Sequence, residues 1–132
     1  MAAYTTLRFA DLDNGFAEKG GEFYMGRDGL ESPQVGVTWI RLPAGVSTQG
    51  DKGHYHDYQD EVYVVVAGGP VEFKVEEDAV SLGVGEAIRI DAKALHAVRN
   101  GGEEEALIVA VSGQLPRGGD DSHPVEGFAP GW

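Results

Sequence analysis

Residues 53–69 of this protein read GHYHDYQDEVYVVVAGG, and this segment decides the fold. Successive side chains of a strand point to opposite faces, so we expect His54 and His56 to aim their imidazoles into one space. A third candidate donor, Glu61, follows after a short polar stretch and begins an apolar run rich in β-branched residues. The segment therefore predicts two strands that carry three donors, and a tight turn at Gly68-Gly69.

Short strand patterns separated by turn signals continue through the rest of the chain. Asn100-Gly101-Gly102 predicts a hairpin and residues 103–105 an acidic turn, while no segment has the period of a helix of three turns. Strands repeated at this spacing predict an all-β sandwich or barrel. The other predicted strands cover residues 35–42, 71–75, 79–82, 87–90, 96–99 and 106–111.

The length of 132 residues predicts one domain over residues 1–132. Residues 1–33 form an N-terminal arm, residues 35–113 a barrel, and residues 114–132 a tail whose His123 is expected to be exposed. The arm packs either on its own barrel or on that of a partner subunit, which predicts a homodimer. The aromatics of the tail either dock on the body or belong to a disordered terminus.

The charge and composition exclude several classes of function. A net charge of −12 argues against nucleic acid and anionic membrane surfaces, which are bound through Lys and Arg. The absence of Cys excludes disulfides, thiolate metal sites and a cysteine nucleophile. No signal peptide is recognised at the N-terminus, and the longest apolar run, residues 62–67, is far shorter than a membrane span, so we expect a cytoplasmic protein.

The histidine segment resembles the first motif of the cupin superfamily. That motif is Gly, five residues, His-x-His, three or four residues, Glu, six residues and Gly. His54, His56, Glu61 and Gly68 match it, whereas Thr48 stands at the position of the leading Gly.

A second motif of the same superfamily is similar to residues 85–100. It reads Gly, five residues, Pro-x-Gly, two residues, His, three residues and Asn. Gly85, His96 and Asn100 match at the correct offsets, while Asp91 and Lys93 replace the Pro and the internal Gly.

This resemblance, which covers residues 35–113, implies a small antiparallel barrel of the jelly-roll or double-stranded β-helix type. It also implies that His54, His56, Glu61 and His96 converge on one divalent transition metal inside the barrel. Three imidazoles and a carboxylate suit Fe, Mn, Co, Ni, Cu or Zn, and leave one or two coordination positions for water or substrate. Two alternatives stay open: Asp60 replaces Glu61 as a ligand, or the barrel keeps these residues without holding a metal.

Several neighbours of the histidines are candidates for supporting roles. Asp57, Gln59 and Asp60 are placed to orient the imidazole rings through hydrogen bonds. Tyr55 lies between the histidines and is expected to face away from them. Tyr58 lies in the turn and either packs on the surface or reaches the mouth of the barrel.

Two strand arginines are candidates for substrate binding. If Arg89 or Arg99 points inward, it can bind a substrate carboxylate; otherwise each is solvated or paired with the acidic surface. Candidates for the barrel interior are Trp39, Phe73, Ile88, Ile90, Val98 and Ile108.

The resemblance implies a metal-dependent enzyme that acts on a small polar molecule inside the barrel. Dioxygenase, isomerase or epimerase, cyclase and decarboxylase types all occur on this fold, and the fold does not choose among them. The alternative is a non-catalytic cupin that binds or senses a small molecule or metal. A storage or structural role ranks last.

Overall fold

The structure, a computed structural model, describes residues 3–16, 19–115 and 121–132. About 50% of it is strand and 3% helix, which confirms the predicted all-β fold. The strands are β1 (Glu22–Met25), β2 (Gly36–Leu42), β3 (Gly53–His56), β4 (Glu61–Val75), β5 (Asp78–Leu82), β6 (Ala87–Ile90), β7 (His96–Ser112) and β8 (Ser122–Val125). A short 3-10 helix covers Phe9–Asp11. The described residues include no helix with the length and hydropathy needed to cross a membrane.

The strands form one curled antiparallel sheet. Its main path runs β1-β2-β7-β3-β8, and β4 pairs with β7 while also pairing with β5 and β6. The pairing of β3 with β7 sets His54 directly opposite His96. The curl therefore brings the start of β3, β4 and β7 to the same end of the barrel.

The tight turn predicted at Gly68-Gly69, the hairpin at Asn100-Gly101-Gly102 and the acidic turn after it are wrong. β4 and β7 are single long strands that pair along their length, with irregular pairing around these glycines. A Cβ at Gly68 would lie 1.8 Å from the Glu105 carbonyl oxygen, and one at Gly102 would lie 2.0 Å from that of Gly69. The glycines therefore permit close backbone contact where both strands bend together, instead of reversing the chain.

Asn100 holds this bend through its side chain. It is fully buried, and its amide donates to the carbonyl oxygens of Leu42 at 3.0 Å and Glu104 at 2.7 Å. Its side-chain oxygen accepts from the Gly102 backbone at 3.0 Å. Because all of these polar groups are satisfied, Asn100 can be buried without an energetic penalty.

The hydrophobic core fills the barrel away from the histidines. Of the predicted interior residues, Phe73, Ile90, Val98 and Ile108 are buried in it and Ile88 packs against it. The prediction for Trp39 is wrong. Alternate residues of β2 face opposite sides, and Ile40 and Leu42 are the ones that enter the core. Trp39 lies on the other face and stacks on Phe9 with ring centroids 5.8 Å apart.

The N-terminal arm packs on its own barrel in this structure. β1 pairs with β2, and Phe16 belongs to the core cluster and contacts Phe23 edge-on. The arm thus extends the sheet by one strand and covers the edge that β2 would otherwise leave open.

The C-terminal tail also docks on the body, although residues 116–120 of the predicted tail lie outside the described residues. β8 pairs with β3, so the histidine strand has neighbours on both sides. Lys74 lies over the Phe128 ring at 4.3 Å, and the Arg99 guanidinium lies over the Trp132 ring at 4.4 Å. These contacts hold the tail beside the metal-ligand candidates.

Candidate metal centre

Three of the predicted ligands form a compact donor cluster. The Nε2 atoms of His54 and His96 lie 3.3 Å and 3.1 Å from Oε1 of Glu61. Within the described part of the chain, one donor atom from each of these residues lies within 4.8 Å of the others, a spacing that allows all three to hold one metal ion. Their side chains are 13%, 1% and 13% exposed for His54, His96 and Glu61, so the cluster is shielded from bulk water.

His56 approaches the same cluster from the side. Its Nε2 lies 2.8 Å from Oε1 of Glu61 in an ion pair, so this ring belongs to the same cluster. Three imidazoles around one carboxylate are a donor set that divalent transition metals bind, so these residues fit the metal that the resemblance implies.

The local sequence places each donor. His54 and His56 share a face of β3, Glu61 begins β4 and His96 begins β7. In the loop before β7, Lys93 replaces the motif glycine but adopts φ of 71°, the left-handed region that favours glycine. The backbone of Lys93 donates to the His56 carbonyl, so this loop keeps the shape that joins β7 to the histidine strand.

The residue that orients His56 is Asp121, which the sequence analysis missed. Its Oδ1 accepts hydrogen bonds from Nδ1 of His56 at 2.9 Å and from the Gln59 side chain at 2.7 Å. Its Oδ2 accepts from the backbone of Tyr58 at 2.8 Å and of Gln59 at 3.2 Å. With Nδ1 bound to this buried carboxylate, Nε2 of His56 is left facing Glu61.

The predicted orienting roles of Asp57 and Asp60 are wrong. Asp57 binds Nε2 of His123 at the surface, and Asp60 accepts from the Ala92 backbone at 3.0 Å, outside the donor cluster. Gln59 reaches the His56 ring only through Asp121. No spacing rule points from His56 to Asp121, because the pairing of β8 with β3 brings together residues 65 positions apart.

Tyr55, Tyr58 and His123 all lie outside the donor cluster, as predicted from their places in a strand, a turn and the tail. Tyr55 faces away from the cluster and stacks on His123 with ring centroids 4.9 Å apart. Tyr58 is 72% exposed. The side chain of His123 is half-exposed, and it pairs with Asp57.

The electrostatics of the cluster favour a bound cation. Burial would raise the pKa of Glu61, but hydrogen bonds to His54, His56 and His96 hold it well below its usual range. Burial lowers the pKa of His54, which keeps that ring neutral. Burial would also lower the pKa of His56, but the carboxylates of Glu61 and Asp121 raise it to about 9. A metal must therefore displace a proton from His56.

Tyr63 adds a neutral hydroxyl to the cluster. Its OH donates to Oε2 of Glu61 at 3.2 Å and lies 3.4 Å from Nε2 of His96. Burial first, and the charge of Glu61 second, raise the pKa of Tyr63 well above 10. Tyr63 follows Glu61 by two residues in the same strand, so the alternation of side chains could have revealed it.

A cavity of about 750 Å³ opens from the cluster. His54, His56, Glu61 and Tyr63 line it together with Gln59. Its volume falls within the range of small-molecule sites. The donor cluster is therefore accessible to a ligand from one side.

Neither strand arginine reaches this cavity. Arg89 pairs with Asp91 at the surface, and Arg99 pairs with Glu72, so the inward-pointing alternative is wrong for both. The arginine that lines the cavity is Arg27, from the turn after β1.

The comparisons with known proteins agree with this architecture. Residues 38–112 match the family model Cupin_2, described as a cupin domain. No functionally curated protein has a sequence that matches this chain.

Solved structures with the same fold include proteins of different named activities. A cupin protein from Bacteroides fragilis superposes with a TM-score of 0.70 at 16% identity, over 89% of each chain. A sugar phosphate isomerase from Silicibacter pomeroyi has a TM-score of 0.64 at 23% identity, over 76% of this chain and 64% of that one. A recombinant oxalate oxidase in complex with glycolate has a TM-score of 0.69 at 15% identity, over 92% of this chain and 62% of that one. At these identities the likeness concerns the fold alone.

Proposed function

Because this chain belongs to the cupin domain family, we propose that it is a metal-dependent enzyme acting on a small polar molecule inside the barrel. The metal is one divalent transition ion, Fe, Mn, Ni, Zn, Co or Cu, and its ligands are His54, His56, Glu61 and His96. The observation that carries the proposal is the convergence of three imidazoles on one carboxylate oxygen: Nε2 of His54, His56 and His96 lie 3.3, 2.8 and 3.1 Å from Oε1 of Glu61.

The protein groups have separable roles in this proposal. A bound metal would supply Lewis-acid or redox chemistry at a position open to the cavity. Asp121 fixes the His56 ring, and the carbonyl of Ala94, 2.9 Å from Nδ1 of His96, fixes that ring in turn. Tyr63 is positioned to donate a hydrogen bond to Glu61 and stays protonated at neutral pH. The buried walls of the cluster limit the access of water.

The reaction is of the dioxygenase, isomerase or epimerase, cyclase or decarboxylase type. Similar structures carry the names of both an isomerase and an oxidase, which supports keeping these types open. A homodimer and a cytoplasmic location are part of the proposal.

Elemental analysis of the purified protein tests the metal site. We expect about one transition metal per chain, lost in His54→Ala and Glu61→Ala and retained in Asp57→Asn, whose carboxylate pairs with the exposed His123. A wild-type protein that takes up no metal, even after loading, would contradict the proposal. A non-catalytic ligand-binding cupin would then be the better description, and a small-molecule ligand should raise the melting temperature of the metal-free protein.

A further inference from the structure

Arg27 reaches the cavity from the N-terminal arm. Its Nη2 donates to the side chains of Gln59 at 3.3 Å and Ser112 at 3.2 Å, and to the carbonyl of Gly113. Gln59 in turn donates to Asp121, which binds His56. Arg27 thus lies at the cavity wall, one side chain removed from the carboxylate that orients the donor cluster.

The charge of Arg27 is not neutralised by the protein. Each partner found for it in the described residues is a neutral carbonyl, amide or hydroxyl oxygen, and it forms no ion pair there, not even with the adjacent Asp28. By contrast, Arg41 and Arg99 pair with carboxylates. In a protein with a net charge of −12, an arginine kept away from carboxylates retains its charge for another anion.

Gly36 makes room for this side chain. A Cβ at Gly36 would lie 2.5 Å from Nη2 of Arg27 and 2.7 Å from the Ser112 hydroxyl oxygen. Gly36 does not need glycine for its backbone conformation, since no positive φ is recorded for it. The glycine at this position is therefore explained by the space that the guanidinium occupies.

We infer that Arg27 binds a carboxylate of the substrate, so that the enzyme acts on a small carboxylic acid whose other oxygen groups face the donor cluster. This inference rests on the proposed function, because it concerns the same cavity. Arg27 is the only Lys or Arg among the described residues that line the cavity. Arg27 therefore offers one positive charge that the described residues leave unpaired, and a carboxylate carries one negative charge to match it.

The test measures binding, so it does not depend on knowing the reaction. Protein loaded with Co²⁺ is titrated calorimetrically with succinate, with succinamide as the uncharged analogue and with inorganic phosphate. We expect wild type to bind succinate in preference to both, and Arg27→Gln to weaken succinate binding by about 10- to 100-fold, the range for lost hydrogen bonds to charged groups. The Co²⁺ content of this variant should stay at the wild-type value.

Two further variants separate charge from folding. Gly36→Ala keeps the charge but displaces the guanidinium, so it should weaken succinate binding while leaving the Co²⁺ content unchanged. Arg89→Gln removes an exposed arginine that pairs with Asp91 outside the cavity and should bind succinate like wild type.

The possible outcomes distinguish this inference from the proposed function. Equal succinate affinity in wild type and Arg27→Gln, equal affinity for succinamide, or preference for phosphate would each overturn the inference, even if Co²⁺ is bound. Succinate binding that depends on Arg27 in a protein that takes up no Co²⁺ would support the inference and overturn the metal-dependent function.

Discussion

Replacing Asp121 with Asn tests whether the tail controls the metal centre. The change keeps the size of a side chain that is 4% exposed and removes its charge. The four hydrogen bonds of the Asp121 carboxylate are with groups placed to donate: the His56 ring, the Gln59 side chain and the backbones of Tyr58 and Gln59. One carboxylate oxygen accepts from His56 and the Gln59 side chain, and the other from the two backbone N–H groups. Asparagine has a single side-chain oxygen, so it can accept from one of these pairs while its amide nitrogen faces the other.

The backbone donors cannot change, so we expect the asparagine oxygen to stay with them and the amide to face His56. Once His56 has lost one of its two ring protons, Nδ1 would accept a hydrogen bond and the remaining proton would stay on Nε2, the atom that faces Glu61. A protonated Nε2 cannot bind a metal. Loss of an orienting partner of this kind typically costs 10- to 100-fold in metal affinity, or about 1.4–2.8 kcal/mol.

The assay is a competition titration of Zn²⁺ against a chromophoric chelator at constant pH. Asp57→Asn is the matched control, since it removes a nearby carboxylate that pairs with the exposed His123, and its affinity should stay within about twofold of wild type. If Asp121→Asn binds Zn²⁺ as tightly as wild type while Asp57→Asn does too, Asp121 does not position His56 and the reasoning is refuted.

The other predictions concern pH and backbone geometry. The apparent metal affinity should rise by about tenfold per pH unit between pH 7 and 9, because the pKa of His56 is raised to about 9; a constant affinity would contradict this. In the metal-free protein, protonation of His56 stabilises the folded state, and this contribution is fully present below the unfolded pKa of about 6.5. It should be lost as the pH rises towards 9 in wild type but not in His56→Gln, as urea unfolding would report. Lys93→Gly should raise the free energy of unfolding by up to about 1 kcal/mol, because Lys93 has φ of 71°, and a loss of stability would argue against strain there. Gly102→Ala should lower the free energy of unfolding by about 3 kcal/mol, because its Cβ would overlap the Gly69 carbonyl oxygen. Gly113→Ala, with nothing within 4 Å of its Cβ, should be nearly neutral, and urea unfolding measures both.

The donors could be predicted because they depend on short-range geometry. His54 and His56 share a face through the alternation of one strand, and Glu61 follows within the same segment. His96 depends on a second motif, whose loop keeps its shape because Lys93 adopts the conformation of the missing glycine. That these side chains hold a metal stays a prediction.

The bends in the long strands could not be predicted from local sequence. Gly68-Gly69 and Asn100-Gly101-Gly102 have the composition of turns, and the same flexibility permits a bend between paired strands. What decides between the two is the pairing of β4 with β7, which involves residues far apart in the chain.

Arg27 and Asp121 were missed for a related reason. Both lie outside residues 38–112, which match the family model, and each reaches the site through a strand that the flanking segments add to the sheet. The barrel supplies the donors, whereas its flanks add the carboxylate that orients His56 and an arginine at the cavity wall. Sequence motifs describe the former, and only the folded chain reveals the latter.

The place of Asp121 in the tail also links the docking of the tail to the geometry of the donor cluster. β8 brings Asp121 to His56 while it is paired with β3. A change that detaches the tail would therefore also release the His56 ring, although it leaves all four donor residues in the chain.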